Sequence, residues 1–141
     1  MRGASTRAIL VTAFLCMAVF AHATAFVWNN AGTSGTWGTT TNWTPNGTPG
    51  AGDTVTISNG GTCNIDGNVS CLTITITNGN LGVSGLSRSL NVFGNANLSG
   101  MNGYPASNLL LDIWAASLLT APAGAVSIAG LAIDAAATVA L

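Results

Sequence analysis

The sequence predicts an all-β chain wound into short stacked coils, and three observations carry the prediction. Aliphatic residues alternate with Thr, Asn and Ser in short runs, Asn-Gly and Asp-Gly turns separate the runs, and charged side chains are scarce. Of 141 residues only three are Lys or Arg and four are Asp or Glu, or 5%, where a typical globular domain carries about 25%. The same strands also fit a β-sandwich, which is the alternative arrangement.

Residues 1–25 read as an export signal. Arg2 and Arg7 form a positive start, Ile9 to Phe20 is uncharged and mostly apolar, and Ala21/Ala23 and Ala23/Ala25 are small-x-small cleavage signals. The reading places the cut after Ala25 and the mature protein outside the cell, secreted or at the cell surface. The apolar run is too short to span a bilayer, which takes about 20 residues, and bulky Leu15 before Cys16 argues against a lipoprotein.

The mature chain, 26–141, keeps one cation, Arg88, and four acids, Asp53, Asp66, Asp112 and Asp134, with no Lys, Glu or His. Without a basic surface it has no footprint for nucleic acid. The residues that usually perform acid–base chemistry are missing, and so is a Cys/His cluster for zinc. The expectation is therefore a protein that is not an enzyme and holds no cofactor or metal. Convergence of the scattered Asp residues on calcium is the alternative.

Residues 26–53 are rich in Trp, Gly and Thr and are read as an N-terminal cap; 54–141 are read as coils. Val55/Ile57, Cys63/Ile65, Leu72/Ile74/Ile76, Leu81/Val83 and Leu90/Val92 mark the apolar sides of successive strands. Asn59-Gly60-Gly61, Asp66-Gly67-Asn68 and Asn78-Gly79-Asn80 mark the turns. Beyond Tyr104-Pro105 the composition shifts to Leu and Ala, and 113–133 are uncharged, long enough for a membrane helix. Pro122, Gly124 and Gly130 interrupt that stretch and alternation continues through Leu109/Leu111/Ile113, Val126/Ile128 and Leu131/Ile133, so strands are predicted there as well. The final Val139-Ala140-Leu141 stops in mid-alternation, which reads as the N-terminal part of a longer protein or an end completed by another chain.

The units GDTVTISNG, CLTITITNG, SLNVFGNANLSG and LAIDAAATVAL share alternate aliphatics and small or turn endings, as stacked coils do. The string Trp28…Gly35-x-Trp37…Asn42-Trp43-x-Pro45-x-Gly47-x-Pro49-x-x-Gly52-Asp53-x-Val55-x-Ile57 follows the signal directly. It resembles the start of bacterial autotransporter- and adhesin-type surface proteins with a right-handed parallel β-helix (pectin-lyase-like) fold. The resemblance covers 28–57, with looser similarity to about residue 100 and again from 125, while the Leu/Ala-rich 109–124 departs from it. It implies a secreted, repeat-built surface protein that presents an extended surface, with any membrane attachment lying in regions not present here.

A solenoid's first coil exposes an apolar cross-section that a terminal segment must cover. Trp28, Trp37 and Trp43, with Asn42, the stiffening Pro45 and Pro49, and Asp53 as an acceptor of backbone N–H groups, are expected to form that cap. The functional alternative for the same Trp28, Trp37 and Trp43 is a sugar-stacking platform. Cys63 and Cys71 are expected to form a disulfide, because export favours oxidation and a hairpin at Asp66-Gly67-Asn68 would set them opposite each other. If that tripeptide is instead a coil corner, both remain buried thiols. The Asn-x-Ser/Thr sequons at Asn42, Asn46, Asn68 and Asn97 suit exposed turns, and Arg88 reads as a solvated residue.

The leading expectation is thus a non-enzymatic surface protein with host or matrix glycans or proteins, or further copies of itself, as partners. The non-catalytic start of a polysaccharide-degrading β-helix enzyme and a self-assembling extracellular filament are the alternatives.

Overall fold

Period-two alternation sends every second side chain to one side of a strand, and in this chain those inward sides meet around a common axis. The computed structural model describes residues 22–103, 108–114, 118–121, 130–133 and 138–140. Residues 1–21, most of the segment read as an export signal, lie outside the described residues, as do the sequence motifs at Tyr104-Pro105, Val126/Ile128 and Asp134.

In chain order the strands are β1 (Ala25–Trp28), β2 (Ser34–Thr36), β3 (Trp43–Thr44), β4 (Thr54–Ile57), β5 (Thr62–Ile65), β6 (Val69–Cys71) and β7 (Thr73–Ile76). There follow β8 (Asn80–Val83), β9 (Arg88–Val92), β10 (Ala96–Asn97), β11 (Leu109–Ile113), β12 (Leu118–Thr120), β13 (Gly130–Ile133) and β14 (Thr138–Ala140). A 3-10 turn, Thr40–Asn42, leads into β3.

These strands form three sheets, ordered β14-β12-β10-β7-β4-β1-β3, β13-β11-β9-β6 and β2-β5-β8. Each described pairing is parallel except β1 with β3. Parallel pairing of strands from successive coils makes the chain a β-solenoid, developed on all three faces over about three turns, and sets the β-sandwich aside. No described helix is long and apolar enough to cross a membrane. Apart from Trp114 and Ala121, the described parts of the apolar 113–133 stretch are strands: the end of β11, then β12 and β13.

The register builds the core in columns. Phe26, Val55, Ile74, Ala96 and Leu119 stack on the first face, and Val69, Leu90 and Leu111, beside Cys71, Val92 and Ile113, stack on the third. Apart from Val69, which is partly buried, these side chains are buried in one continuous cluster. Each fully buried aliphatic contributes roughly 1.5–3 kcal/mol, and none has a neighbour to bury against until the next coil is in place.

One set of corners is closed by asparagines. Asn59 Nδ2 donates to Trp28 O at 2.6 Å, Gly60 N donates to Asn78 O at 3.0 Å, and Asn102 Nδ2 donates to Asn78 Oδ1. An amide side chain both donates and accepts, so a stack of Asn satisfies itself rung upon rung where a stack of like charges would repel.

Candidate functional site

The first coil is covered by an aromatic cluster. Antiparallel β3 lies against β1 with Trp28 opposite Trp43, and the Trp43 ring meets Trp28, Trp37 and Phe26 edge-on at centroid distances of 4.8, 5.1 and 6.3 Å. Trp43 Nε1 donates to Trp37 O at 2.8 Å, and Trp37 Nε1 donates to the buried Pro49 carbonyl at 3.3 Å. Asn42 Nδ2 donates to Thr36 O at 2.8 Å, which holds β2 against the 3-10 turn. Pro45 is exposed at the end of β3.

Asp53 sits where the covering loop enters β4. Its Oδ2 accepts from Gly50 N at 2.8 Å and its Oδ1 from Thr24 N at 2.9 Å.

One alternative and one expectation drawn from the sequence are set aside. Trp28, Trp37 and Trp43 do not form a sugar-stacking platform, because they are 1%, 0% and 0% exposed and their faces are spent on one another. Cys63 and Cys71 do not form a disulfide: both are buried free thiols. The predicted hairpin is absent as well. β5 pairs in parallel with β2 and β8, and β6 with β9, so Asp66-Gly67-Asn68 is a corner between faces.

Burial, with Asp66 adding to it, pushes the Cys63 thiol well above its ordinary range. Burial, with Asp53 adding to it, pushes Cys71 up to about 12. A raised thiol pKa favours folding below the ordinary thiol range, near 9.0, and that stability is lost as pH rises toward the folded value. Neither thiol is therefore expected to react with iodoacetamide in the folded protein at pH 8, and both are expected to react in denaturant without reductant. Intact mass after labelling reads the count. A folded chain that takes up label, or a denatured one that refuses it, would contradict two buried thiols.

The exposed face carries a feature that the sequence analysis missed. Cys71, Val92 and Ile113 share a column, so the residues that follow them, Leu72, Phe93 and Trp114, fall on successive rungs just past the strand ends. All three are exposed, Trp114 by 46%, and the ladder continues beneath them, with Phe93 N donating to Cys71 O at 3.1 Å and Trp114 N to Val92 O at 2.9 Å. The Phe93 and Trp114 rings lie 5.6 Å apart at 47°.

Beside this apolar column runs a polar one, Ser70, Asn91 and Asp112, also in register. Trp114 Nε1 donates to Asp112 Oδ2 at 3.1 Å, which holds the indole beside the carboxylate. An open hollow of about 240 Å³ lies there, lined by Asp112, Ile113, Trp114, Ala132 and Ile133. The sequence signal for this strip is the recurring tetrapeptide Val69-Ser70-Cys71-Leu72, Leu90-Asn91-Val92-Phe93, Leu111-Asp112-Ile113-Trp114. Its last residue is one step beyond the strand: alternation counts Leu72 inward with Ile74 and Ile76, whereas it is exposed, and it leaves Phe93 and Trp114 outside the pattern.

Among the described residues no three His, Cys, Asp or Glu side chains come together as a metal site. Asp53, Asp66 and Asp112 lie at a loop exit, a corner and a strand. Compared with family models, with curated proteins and with solved structures, the chain matches none.

Proposed function

We propose that this chain is an exported, non-enzymatic surface β-solenoid of the adhesin or autotransporter-passenger kind, and that it contacts glycans along the Leu72–Phe93–Trp114 strip. The observation that carries the reading is that strip: an exposed Leu and two exposed aromatic rings on successive rungs, flanked by a hydroxyl, an amide and a carboxylate in matching register. Sugar rings present one apolar C–H face and an edge of hydroxyls. Indole and phenyl faces suit the former, and Asn91 and Asp112 suit the latter. Rungs repeat about every 4.8 Å, so a saccharide laid along the stack meets one polar group per coil. Secretion, the lack of catalysis and the surface role rest on the signal segment and the composition of the mature chain.

Asp112 directs the specificity. A neutral or amino-bearing glycan is accepted beside the carboxylate, and a uronic-acid polymer is repelled. In affinity electrophoresis through gels containing soluble polysaccharides, the protein is expected to be retarded by neutral or amino-sugar polymers and not by acidic ones. Trp114→Ala is expected to weaken the retardation about tenfold while the protein stays folded, with only a small fall in thermal midpoint from the lost Phe93 contact and Asp112 hydrogen bond. Unretarded wild-type protein, or a Trp114→Ala variant that binds as well as wild type, would count against the strip.

A further inference from the structure

The N-terminal edge of the cap bears on where the leader is removed. Thr24 is half-buried and makes two hydrogen bonds to the body of the solenoid: its N–H donates to Asp53 Oδ1 at 2.9 Å, and its carbonyl accepts from Thr54 N at 2.9 Å. Ala25 is the first residue of β1 and pairs with Thr54. Asp53 in turn holds the covering loop through Gly50 N, and its own carbonyl accepts from Leu72 N at 2.7 Å in the next coil. Removing residues 1–25, as the sequence reading places the cut, deletes Thr24 and Ala25. That shortens β1 and takes away the donor on Asp53 Oδ1. Ala21-His22-Ala23 presents the same small-x-small signal two residues earlier.

We propose that the leader is cut after Ala23, so that the mature chain begins at Thr24 with its new α-amino group seated on the Asp53 carboxylate. The proposal rests on the export reading above. A signal peptidase adds water across the Ala23–Thr24 peptide bond; the carboxylate stays with the leader and the amine with Thr24. An α-amine ordinarily titrates at about 7.7–8.0 and is mostly protonated at neutral pH. The same nitrogen that donates to Asp53 as an amide then donates as an ammonium, a charge-assisted and stronger bond. Processing thereby adds a cation to a mature chain that otherwise has only Arg88, and adds it against the acid that ties the cap together.

The test is to express the full chain with its own leader in an exporting bacterial host and determine the first residue by N-terminal sequencing and intact mass. Thr24 is the expected result, and Phe26 would overturn the proposal. Two variants separate the sites, because Ala21 belongs only to the earlier signal and Ala25 only to the later one. Ala25→Leu, at an exposed position, is expected to leave processing unchanged, and Ala21→Leu is expected to abolish the cut at Thr24. Loss of processing in Ala25→Leu would overturn the proposal even in the absence of sequencing. A chain retained in the cytoplasm with its leader intact would overturn the export reading itself, an outcome distinct from a cut at the later site.

Discussion

Replacing Trp43 with Ala is expected to cost about 4 kcal/mol of folding stability, in the middle of the range for a buried Trp. The ring is 0% exposed and is the one member of the cap cluster that touches all the others, meeting Phe26, Trp28 and Trp37 edge-on. Its removal opens a cavity that neighbours pinned by β1 and β3 cannot collapse to fill, and it strands the Trp37 carbonyl, whose donor is Trp43 Nε1. A domain of ordinary stability holds only about 5–15 kcal/mol in total, so the variant loses a large share of it. In a solenoid the loss also spreads, because the coil below buries its Val55 and Ile57 against this cover. Urea unfolding followed by far-ultraviolet circular dichroism reads the change as a fall in midpoint. Trp43→Phe keeps most of the apolar ring and loses the indole N–H, so it is expected to cost about 1–2 kcal/mol. An alanine variant that unfolds at the wild-type midpoint would mean that the cluster is not what holds the first coil closed.

The ordering of these two variants tests packing against hydrogen bonding, and it bears on what the residues alone disclose. Alternation and Asn-Gly turns show the strands directly. Gly52–Gly60 and Cys71–Gly79 are equivalent segments, with Thr54 beside Thr73 and Ile57 beside Ile76. The later units are harder to read because they straddle two faces: SLNVFGNANLSG contains all but the first residue of β9 together with β10, and LAIDAAATVAL contains all but the first residue of β13 together with β14. Coil length explains why. Inward partners on the first face are 19 residues apart from Val55 to Ile74, 22 from Ile74 to Ala96 and 23 from Ala96 to Leu119. A parallel ladder needs only that strands return in register, and corners absorb the difference, so no fixed period survives in the sequence.

The expected disulfide and the alternative sugar platform failed for local reasons. Asp66-Gly67-Asn68 has the same turn chemistry whether it closes a hairpin or bends a coil. The choice between them is made by β8 and β9, which pair with β5 and β6 from the following coil. Likewise, three Trp among Gly and Thr suit a buried cover and an open platform equally well. They become buried because antiparallel β3 folds back over β1 and because the Nε1 groups of Trp37 and Trp43 find carbonyls inside. The outward aromatics were legible in principle, since Leu-Asn-Val-Phe and Leu-Asp-Ile-Trp differ by conservative exchanges at equal spacing. Single-residue alternation simply ends before the residue that matters.

A large backbone effect is expected at Gly61, where the cap meets the second coil. A Cβ built there lies 2.0 Å from the Asn30 carbonyl oxygen and 2.7 Å from Trp28 Nε1, far inside contact distance. The carbonyl belongs to the backbone just past β1, so rotating a side chain cannot relieve the clash. Gly61 is held in place on its own account, with its N–H donating to Asn59 Oδ1 at 3.2 Å and its carbonyl accepting from Asn80 N at 3.0 Å. Gly61→Ala must therefore push β1 away from the corner before β5, and a cost of about 3 kcal/mol or more is expected. The comparison that isolates sterics from chain entropy is Gly67→Ala, at a corner where an added Cβ meets nothing within 4 Å and the backbone has no positive φ. Both substitutions reduce the freedom of the unfolded chain equally, by about 0.4–1 kcal/mol in favour of folding. Gly67→Ala is thus expected to be neutral or mildly stabilising, while Gly61→Ala lowers the urea midpoint sharply. Equal midpoints for the two variants would mean that the Asn30 carbonyl does not pack against Gly61 closely enough to exclude a methyl group.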